Sequence, residues 1–190
     1  MKARGHPMGK LKGEKMLEVE VKARVKDLKA VEIKVKAMGF SLEGTEEHSD
    51  VYFKHPARDF ARTDETLRVR TVNGRSVLTY KGPKLDKVSK TREEVEVELK
   101  GDMVRVLDRV GFTPVLIVTK VRKVYRKADI EVCLDDVEGL GTYVEVECMS
   151  KDLEATRDRV MSVIKALGIP DNALERRSYL ELLLIKNASK

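Results

Sequence analysis

Glu18-Val19-Glu20-Val21-Lys22 decides how the rest of this chain is read. In a strand, alternate side chains face opposite ways, so Glu18, Glu20 and Lys22 share one face and Val19, Val21 and Ala23 the other. Two carboxylates and an ammonium on one face make either a wet strand surface or part of a site for a metal and an anion. The same alternation returns down the chain, each time with metal- or phosphate-binding side chains on the polar face. That repetition favours a site over a surface.

Around this strand the chain falls into two similar rounds. A strand over 16–26 leads to Asp27, which caps a helix through Leu28, Val31, Val35 and Met38 that stops at Gly39. Strands follow at 45–54, 65–72 and 75–81, the last two joined by the hairpin pair Asn73-Gly74. The second round opens with the strand 92–100. A helix follows from Asp102 through Met103, Val106, Leu107 and Val110 to Gly111. Further strands are expected at 114–126, 128–134 and 142–149, with Asp135 to Gly141 as a loop. Helices are expected at 152–167 and 171–186. Glu18-Val19-Glu20-Val21 and Glu94-Val95-Glu96-Val97 open the two rounds, which read as an internal repeat. Residues 1–15 read as a loose basic tail and 16–186 as a single domain.

Eight strands and several amphipathic helices predict an α+β fold, an eight-stranded antiparallel closed β-barrel with helices packed outside. The helices need apolar surface to cover. The strands offer Val19/Val21, Leu67/Val69, Leu78/Tyr80, Val95/Val97, Ile130/Val132/Leu134 and Val144/Val146. If those faces lie outside under helices, the charged faces point into the barrel. The interior is then polar, the reverse of an ordinary core.

On the basic side stand Lys22, Arg68, Arg70, Lys81, Arg92, Lys120, Arg122 and Arg126. Members of an i, i+2 pair lie about 6.6 Å apart on one face. Guanidinium groups bind phosphate oxygens in pairs and Lys adds a point charge. On the acidic side stand Glu18, Glu20, Glu94, Glu96, Asp135, Glu145 and Glu147. Carboxylates suit the hard ions Mg²⁺ and Mn²⁺, with substrate phosphates completing the shell. Taken singly, each basic or acidic group reads as a solvated face or a cross-strand ion pair. His6, His48 and His55 are scattered without metal-ligand spacing and read as incidental.

Composition narrows the classes. The chain of 190 residues is 42% hydrophobic and 37% charged, enough of each for one folded domain with a charged surface. The net charge of +6 favours anionic partners, but 32 acidic residues interleave with 38 basic ones. A nucleic-acid surface is therefore not expected. An RNA module is further disfavoured by 5 Tyr, 4 Phe and no Trp. No apolar run reaches ~18 residues, so no membrane span is expected. Cys133 and Cys148 lack zinc or redox spacing and read as reduced thiols of a cytoplasmic protein.

The ordered set of these motifs resembles the CYTH superfamily, the triphosphate tunnel metalloenzymes. Its E-x-E-x-K hallmark matches Glu18, Glu20 and Lys22. The resemblance continues through Arg68-Val69-Arg70, Lys81 in Thr79-Tyr80-Lys81-Gly82-Pro83, and Arg92-Glu93-Glu94. It then runs through Lys120-Val121-Arg122, Asp135, Gly139-Leu140-Gly141 and Glu145-Val146-Glu147. Asp50-Val51-Tyr52-Phe53 and Arg177-Ser178-Tyr179 are similar to the class IV adenylyl cyclase branch and its archaeal and bacterial relatives. The resemblance implies a triphosphate tunnel in which Lys22, Arg68, Arg70, Lys81, Lys120, Arg122 and Arg177 grip the triphosphate. Glu18, Glu20, Asp135, Glu145 and Glu147 would hold Mg²⁺ or Mn²⁺, and Lys22, Arg92 and Glu94 would serve the reaction. The activity it implies is ATP to cyclic AMP and pyrophosphate. Hydrolysis of inorganic or thiamine triphosphate, and non-catalytic binding of nucleotide or polyphosphate, stand as alternatives. The expected partner is a nucleoside triphosphate or other triphosphate, and a homodimer is compatible with the sequence.

Overall fold

The structure, a computed structural model, describes residues 17–84 and 92–189. The expected N-terminal tail lies outside the described residues. In chain order the elements are β1 (Leu17–Arg24), α1 (Leu28–Ala37), β2 (Ser41–Lys54), α2 (Phe60–Thr63), β3 (Thr66–Val72) and β4 (Arg75–Lys84). Then come β5 (Arg92–Leu99), α3 (Met103–Arg109), β6 (Thr113–Lys127), β7 (Ile130–Val137), β8 (Gly141–Ser150), α4 (Leu153–Ala166), a 3-10 turn (Asp171–Ala173) and α5 (Tyr179–Ala188).

Local chemistry accounts for most boundaries. Asp27, Asp102 and Asp152 each cap a helix by accepting a backbone N–H, from Ala30, Arg105 and Ala155 at 3.0, 2.9 and 3.1 Å. Asn73 and Gly74 take φ of 47° and 81°, the left-handed pair that a two-residue hairpin demands.

The strands form one antiparallel sheet in the order β1-β8-β7-β6-β2-β3-β4-β5. That order is symmetric about the long β2–β6 pair, so β1-α1-β2-β3-β4 and β5-α3-β6-β7-β8 take equivalent places. The sheet curls until its edges meet. Lys81 Nζ on β4 lies 3.9 Å from Glu18 on β1, and the Glu94 carboxyl of β5 shares a hydrogen bond with Glu18. Among the described residues no ladder joins β1 to β5, so the barrel carries a side-chain seam instead of full closure. The seam lies beside a slip in β4–β5 pairing between Lys81 and Lys84, where Pro83 has no N–H to give.

The polar-inside arrangement holds. Lys22, Arg68, Lys120, Arg122, Asp135 and Glu145 are buried on the concave face. Outside, Val19, Ala23, Val132, Leu134, Val144 and Val146 pack under Val31 and Val35 of α1 and Val160, Val163 and Ile164 of α4. Each fully buried aliphatic side chain contributes about 1.5–3 kcal/mol. A second cluster joins Phe53, Leu67 and Val69 to Phe60 of α2 and Leu107 of α3. Helices do not cover every apolar strand face: Val95 and Val97 of β5 stay 49% and 52% exposed. The short α3 spends its apolar side on β3 and β4 instead.

Two further expectations need correction, and one short helix went unforeseen. β7 runs through Asp135 to Val137, so Asp135 is a strand residue and not a loop residue. It is paired with Arg122 on one side and Tyr143 on the other. The helix expected over 171–186 is split. After the 3-10 turn the chain is extended, Leu174 bridges Ala23, and α5 starts only at a Ser178 capping box with Glu181. The four-residue α2, capped by Asp59, has no periodicity long enough to be read from sequence.

Glu32 shows how a charged residue fastens a helix to this sheet. Its carboxylate accepts from Lys123 Nζ and Lys36 Nζ at 2.7 Å and from Tyr125 Oη at 2.8 Å. Those bonds, Lys123 first, hold its pKa down at about 2 against an ordinary 4.5. A depressed carboxyl contributes stability above its ordinary pKa and loses it as pH falls toward the folded value. Glu32→Gln should cost about 1 kcal/mol at neutral pH, with both lysines partly screened by water. Between about pH 4.5 and pH 2 that difference should vanish in denaturant titrations.

Candidate functional site: a cationic wall facing an acidic one

The concave face carries two kinds of charge in separate places. The cationic wall is built on β3 and β6 by two buried carboxylates. Asp50 on β2 sits opposite Arg70 on β3 and accepts from its Nε and Nη2, both at 2.7 Å. The same carboxylate reaches Arg68 at 3.4 Å. Asp135 on β7 sits opposite Arg122 on β6 and accepts from its Nε at 2.7 Å and Nη2 at 2.6 Å. Lys120 Nζ adds a third bond to Asp135 at 3.0 Å. Each half of the sheet thus fixes a pair of cations with one carboxylate. Burial alone would raise both carboxyls, but Arg70 and Arg68 at Asp50, and Lys120 and Arg122 at Asp135, hold them below the ordinary range.

Tyr179 of α5 completes this wall. Its hydroxyl donates to Asp135 at 2.8 Å, and its ring lies under Lys22 Nζ at 4.4 Å and Lys120 Nζ at 5.2 Å. It packs with Tyr52, Val118, Val137, Tyr143 and Leu183 on the concave side, so α5 fills one end of the curl. The extended segment before it reaches that end by running along β1, with Glu175 N–H donating to the Lys22 carbonyl at 2.8 Å.

The acidic wall lies on β1, β8 and the neighbouring edges. Glu20 pairs with Glu147 and Lys22 with Glu145 across β1–β8. Glu145 is ion-paired, 3.7 Å from Lys22 and in contact with Arg122. Glu18 has only a share of Lys81, 3.9 Å away and closer to Glu94, and Glu147 is crowded by other acids. Burial, then Glu20 and Glu94, outweigh Lys81 and raise the Glu18 carboxyl to about 7. Burial, then Glu18, raise Glu147 well above the ordinary range. Lys81 stands at the edge of this wall, 2.8 Å from Glu94. One oxygen each of Glu131 and Glu147 and the Cys133 sulfur lie within 4.8 Å of one another.

This acidic wall fits a divalent cation. Crowded carboxylates with raised pKa lack positive charge, and hard oxygen donors are what Mg²⁺ or Mn²⁺ takes. Burial keeps the Cys133 thiol well above its ordinary range, hence protonated and unsuited to a hard ion. Among the expected ligands, Glu18, Glu20 and Glu147 lie together on β1 and β8. Asp135 and Glu145 lie where Lys120, Arg122 and Lys22 already engage them.

Six of the seven expected phosphate ligands, Lys22, Arg68, Arg70, Lys81, Lys120 and Arg122, lie on the concave face. Arg177 does not: it is exposed and bonded to Glu175 at 2.6 and 2.9 Å. Arg92 is half-buried at the start of β5, two positions from Glu94. Sequence reasoning missed the roles of Asp50 and Tyr179. The first was legible in the alternation Glu46, His48, Asp50, Tyr52 along β2, the same signal that singled out Glu18 and Glu20. Tyr179 carries no such periodic signal.

A search of family models matches residues 16–179 to the CYTH domain. The chain belongs to the CYTH domain family. It is 42% identical over 172 residues to MJ0240 of Methanocaldococcus jannaschii, a protein provisionally named an adenylate cyclase, covering 88% of this chain and 98% of that one. It is 30% identical over 169 residues to adenylate cyclase CyaB of Aeromonas hydrophila, covering 85% and 86%. Among solved structures, the PH1819 protein of Pyrococcus horikoshii OT3 superposes with a TM-score of 0.81 at 42% identity, covering 89% and 99%. The CYTH fold is thus the frame on which both walls are built. Among the described residues no helix is long and apolar enough to cross a membrane.

Proposed function

We propose that the protein is a divalent-cation-dependent enzyme acting on a triphosphate, in the manner of a class IV adenylyl cyclase that converts ATP to cyclic AMP and pyrophosphate. One observation carries the reading. Six cations converge on the same concave face as a carboxylate cluster short of positive charge. A polyanion with its metal supplies what each wall lacks. Two curated relatives of high coverage bear adenylate cyclase names, which favours the cyclase among reactions of this kind.

In this reading Lys22, Arg68, Arg70, Lys81, Lys120 and Arg122 bind phosphate oxygens, and Asp50 and Asp135 aim the cations. Phosphoryl chemistry asks little more of a protein than positioning and charge neutralisation. Glu94, kept below the ordinary range by Lys81 despite its burial, takes the proton of the attacking ribose hydroxyl. Lys22 and Arg92 offset charge at the reacting phosphorus. Glu18, Glu20 and Glu147, with Glu145 and Asp135 beside them, would hold a Mg²⁺ or Mn²⁺ ion, which would supply Lewis acidity to the phosphate oxygens and the nucleophile.

The deciding experiment incubates the purified protein with ATP, thiamine triphosphate and inorganic triphosphate, with Mg²⁺ and then Mn²⁺. Cyclic AMP with pyrophosphate supports the cyclase; orthophosphate release makes it a triphosphatase. Tight binding without turnover leaves a non-catalytic binder.

The grip itself has its own test. Arg70→Ala should weaken inorganic triphosphate about ten- to a hundredfold by calorimetry, the worth of one charge-assisted contact. Lys120→Ala should do the same from the other half of the sheet, while Lys54→Ala at the exposed end of β2 should change little. Wild-type affinity in the first two variants, or equal competition by sulfate, would reduce the wall to a generic anion surface.

A further inference from the structure

His48 has no part in the scheme above, yet its place in the fold is unusual. Its side chain is 4% exposed, on the concave face of β2 between Glu46 and Asp50. Nε2 lies 2.7 Å from Glu46 Oε2. Nδ1 has no hydrogen-bond partner. Among the described residues it is one of two buried side-chain nitrogen or oxygen atoms in that condition, the other being Arg68 Nε in the same wall. A buried polar atom without a partner is costly, so two of them beside one cationic cluster indicate atoms awaiting a ligand.

The groups around the ring define what that ligand would be. On its own strand are Glu46 and Asp50, on β3 Arg70, and on β6 Lys120, its register partner, with Arg122 beyond. Glu46 is held ionised, its hydrogen bond to His48 outweighing burial, so it accepts from Nε2–H. That leaves the lone pair on Nδ1, facing a neighbourhood of cations. Burial, and after it Arg70, Lys120 and Arg122, oppose protonation of the ring in the empty site, against the pull of Glu46. A bound polyanion reverses that field. With Glu46 on one side and phosphate on the other, the imidazolium would have an acceptor for each N–H.

We propose that His48 is a further ligand-binding residue of this wall, which takes up one proton from solvent as a polyphosphate binds and donates from Nδ1 to a phosphate oxygen. This rests on the triphosphate reading and deepens it, because it makes binding proton-coupled. A group that holds its proton more tightly in the complex than in the free protein strengthens binding as pH falls. Affinity should therefore rise as pH falls from about pH 8 toward about pH 5, by up to roughly tenfold for a ring shifted upward by about one unit, the full gain coming only below the lowered pKa of the free ring.

The experiment follows the His48 ring resonance by NMR across that pH range, with and without saturating inorganic triphosphate. It is assigned by its absence in His48→Gln or, if that variant fails to fold, by its persistence when His6 and His55 are replaced. Calorimetry of triphosphate binding to wild type and variant accompanies it. The expected result is a midpoint about one unit higher in the complex, with the tenfold pH gain reduced in His48→Gln to what the ligand's own titration contributes. An unchanged midpoint with triphosphate demonstrably bound overturns the role of His48 and leaves the triphosphate reading standing. No binding at any pH overturns both.

Discussion

Asp135→Ala is expected to lower the stability of the empty protein by about 3 kcal/mol, or roughly 6–12 °C in melting temperature. The carboxylate is fully buried and carries Arg122, Lys120 and the Tyr179 hydroxyl. Its removal leaves buried cations without their counter-charge, the costliest kind of ion-pair loss. Glu145 still touches Arg122, which sets the estimate at the low end of the usual range. The variant also frees Tyr179, so α5 should loosen and its amides exchange faster. Inorganic triphosphate should restore part of the lost melting temperature by replacing the missing negative charge. Asp136→Ala, one position along and exposed, is the control and should change stability by less than about 0.5 kcal/mol. If the two variants melt alike, Asp135 does not organise the cationic wall.

Glu147→Gln should have the opposite stability signature and a larger effect on activity. Glu147 sits among Glu18, Glu20 and Glu131 with too little positive charge near it. Neutralising it relieves repulsion, so the metal-free variant should be at least as stable as the wild type. Activity at saturating Mg²⁺ or Mn²⁺ should nevertheless fall at least about a hundredfold, since loss of an outer-shell partner alone can cost that much. Glu20→Gln should lose activity in the same way. Manganese binding measured by calorimetry should weaken in both variants. Full activity of either at low metal would remove that residue from the metal site. A clear loss of stability would mean that its carboxylate is ion-paired in the resting protein.

These two variants mark the limit of what the sequence carried. Period-two alternation is a local property, and it was enough to separate the faces of β1, β3, β6, β7 and β8. The competition of the helices for the apolar faces then placed the charges inside. Asp27 and Asp102 as caps, and Asn73-Gly74 as a turn, were equally legible because each acts on its own neighbours. The expected helix over 171–186 failed for the complementary reason. Residues 174–178 are extended because Leu174 and Glu175 find backbone partners on β1, about 150 residues earlier. Nor did local pattern foresee that Val95 and Val97 would be left uncovered, since that depends on the reach of α3.

By itself the sequence determined that the chain would build an inside-out sheet with cations and carboxylates on one concave face. Only the tertiary structure divided those carboxylates into two kinds. Asp50, Asp135 and Glu145 are neutralised by cations brought from other strands, while Glu18 must share Lys81 with Glu94 and Glu147 is crowded by other acids. The residue types are the same in both sets. What differs is the charge of neighbours across the curl, and electrostatic environment is set by distance in space, not by separation along the chain.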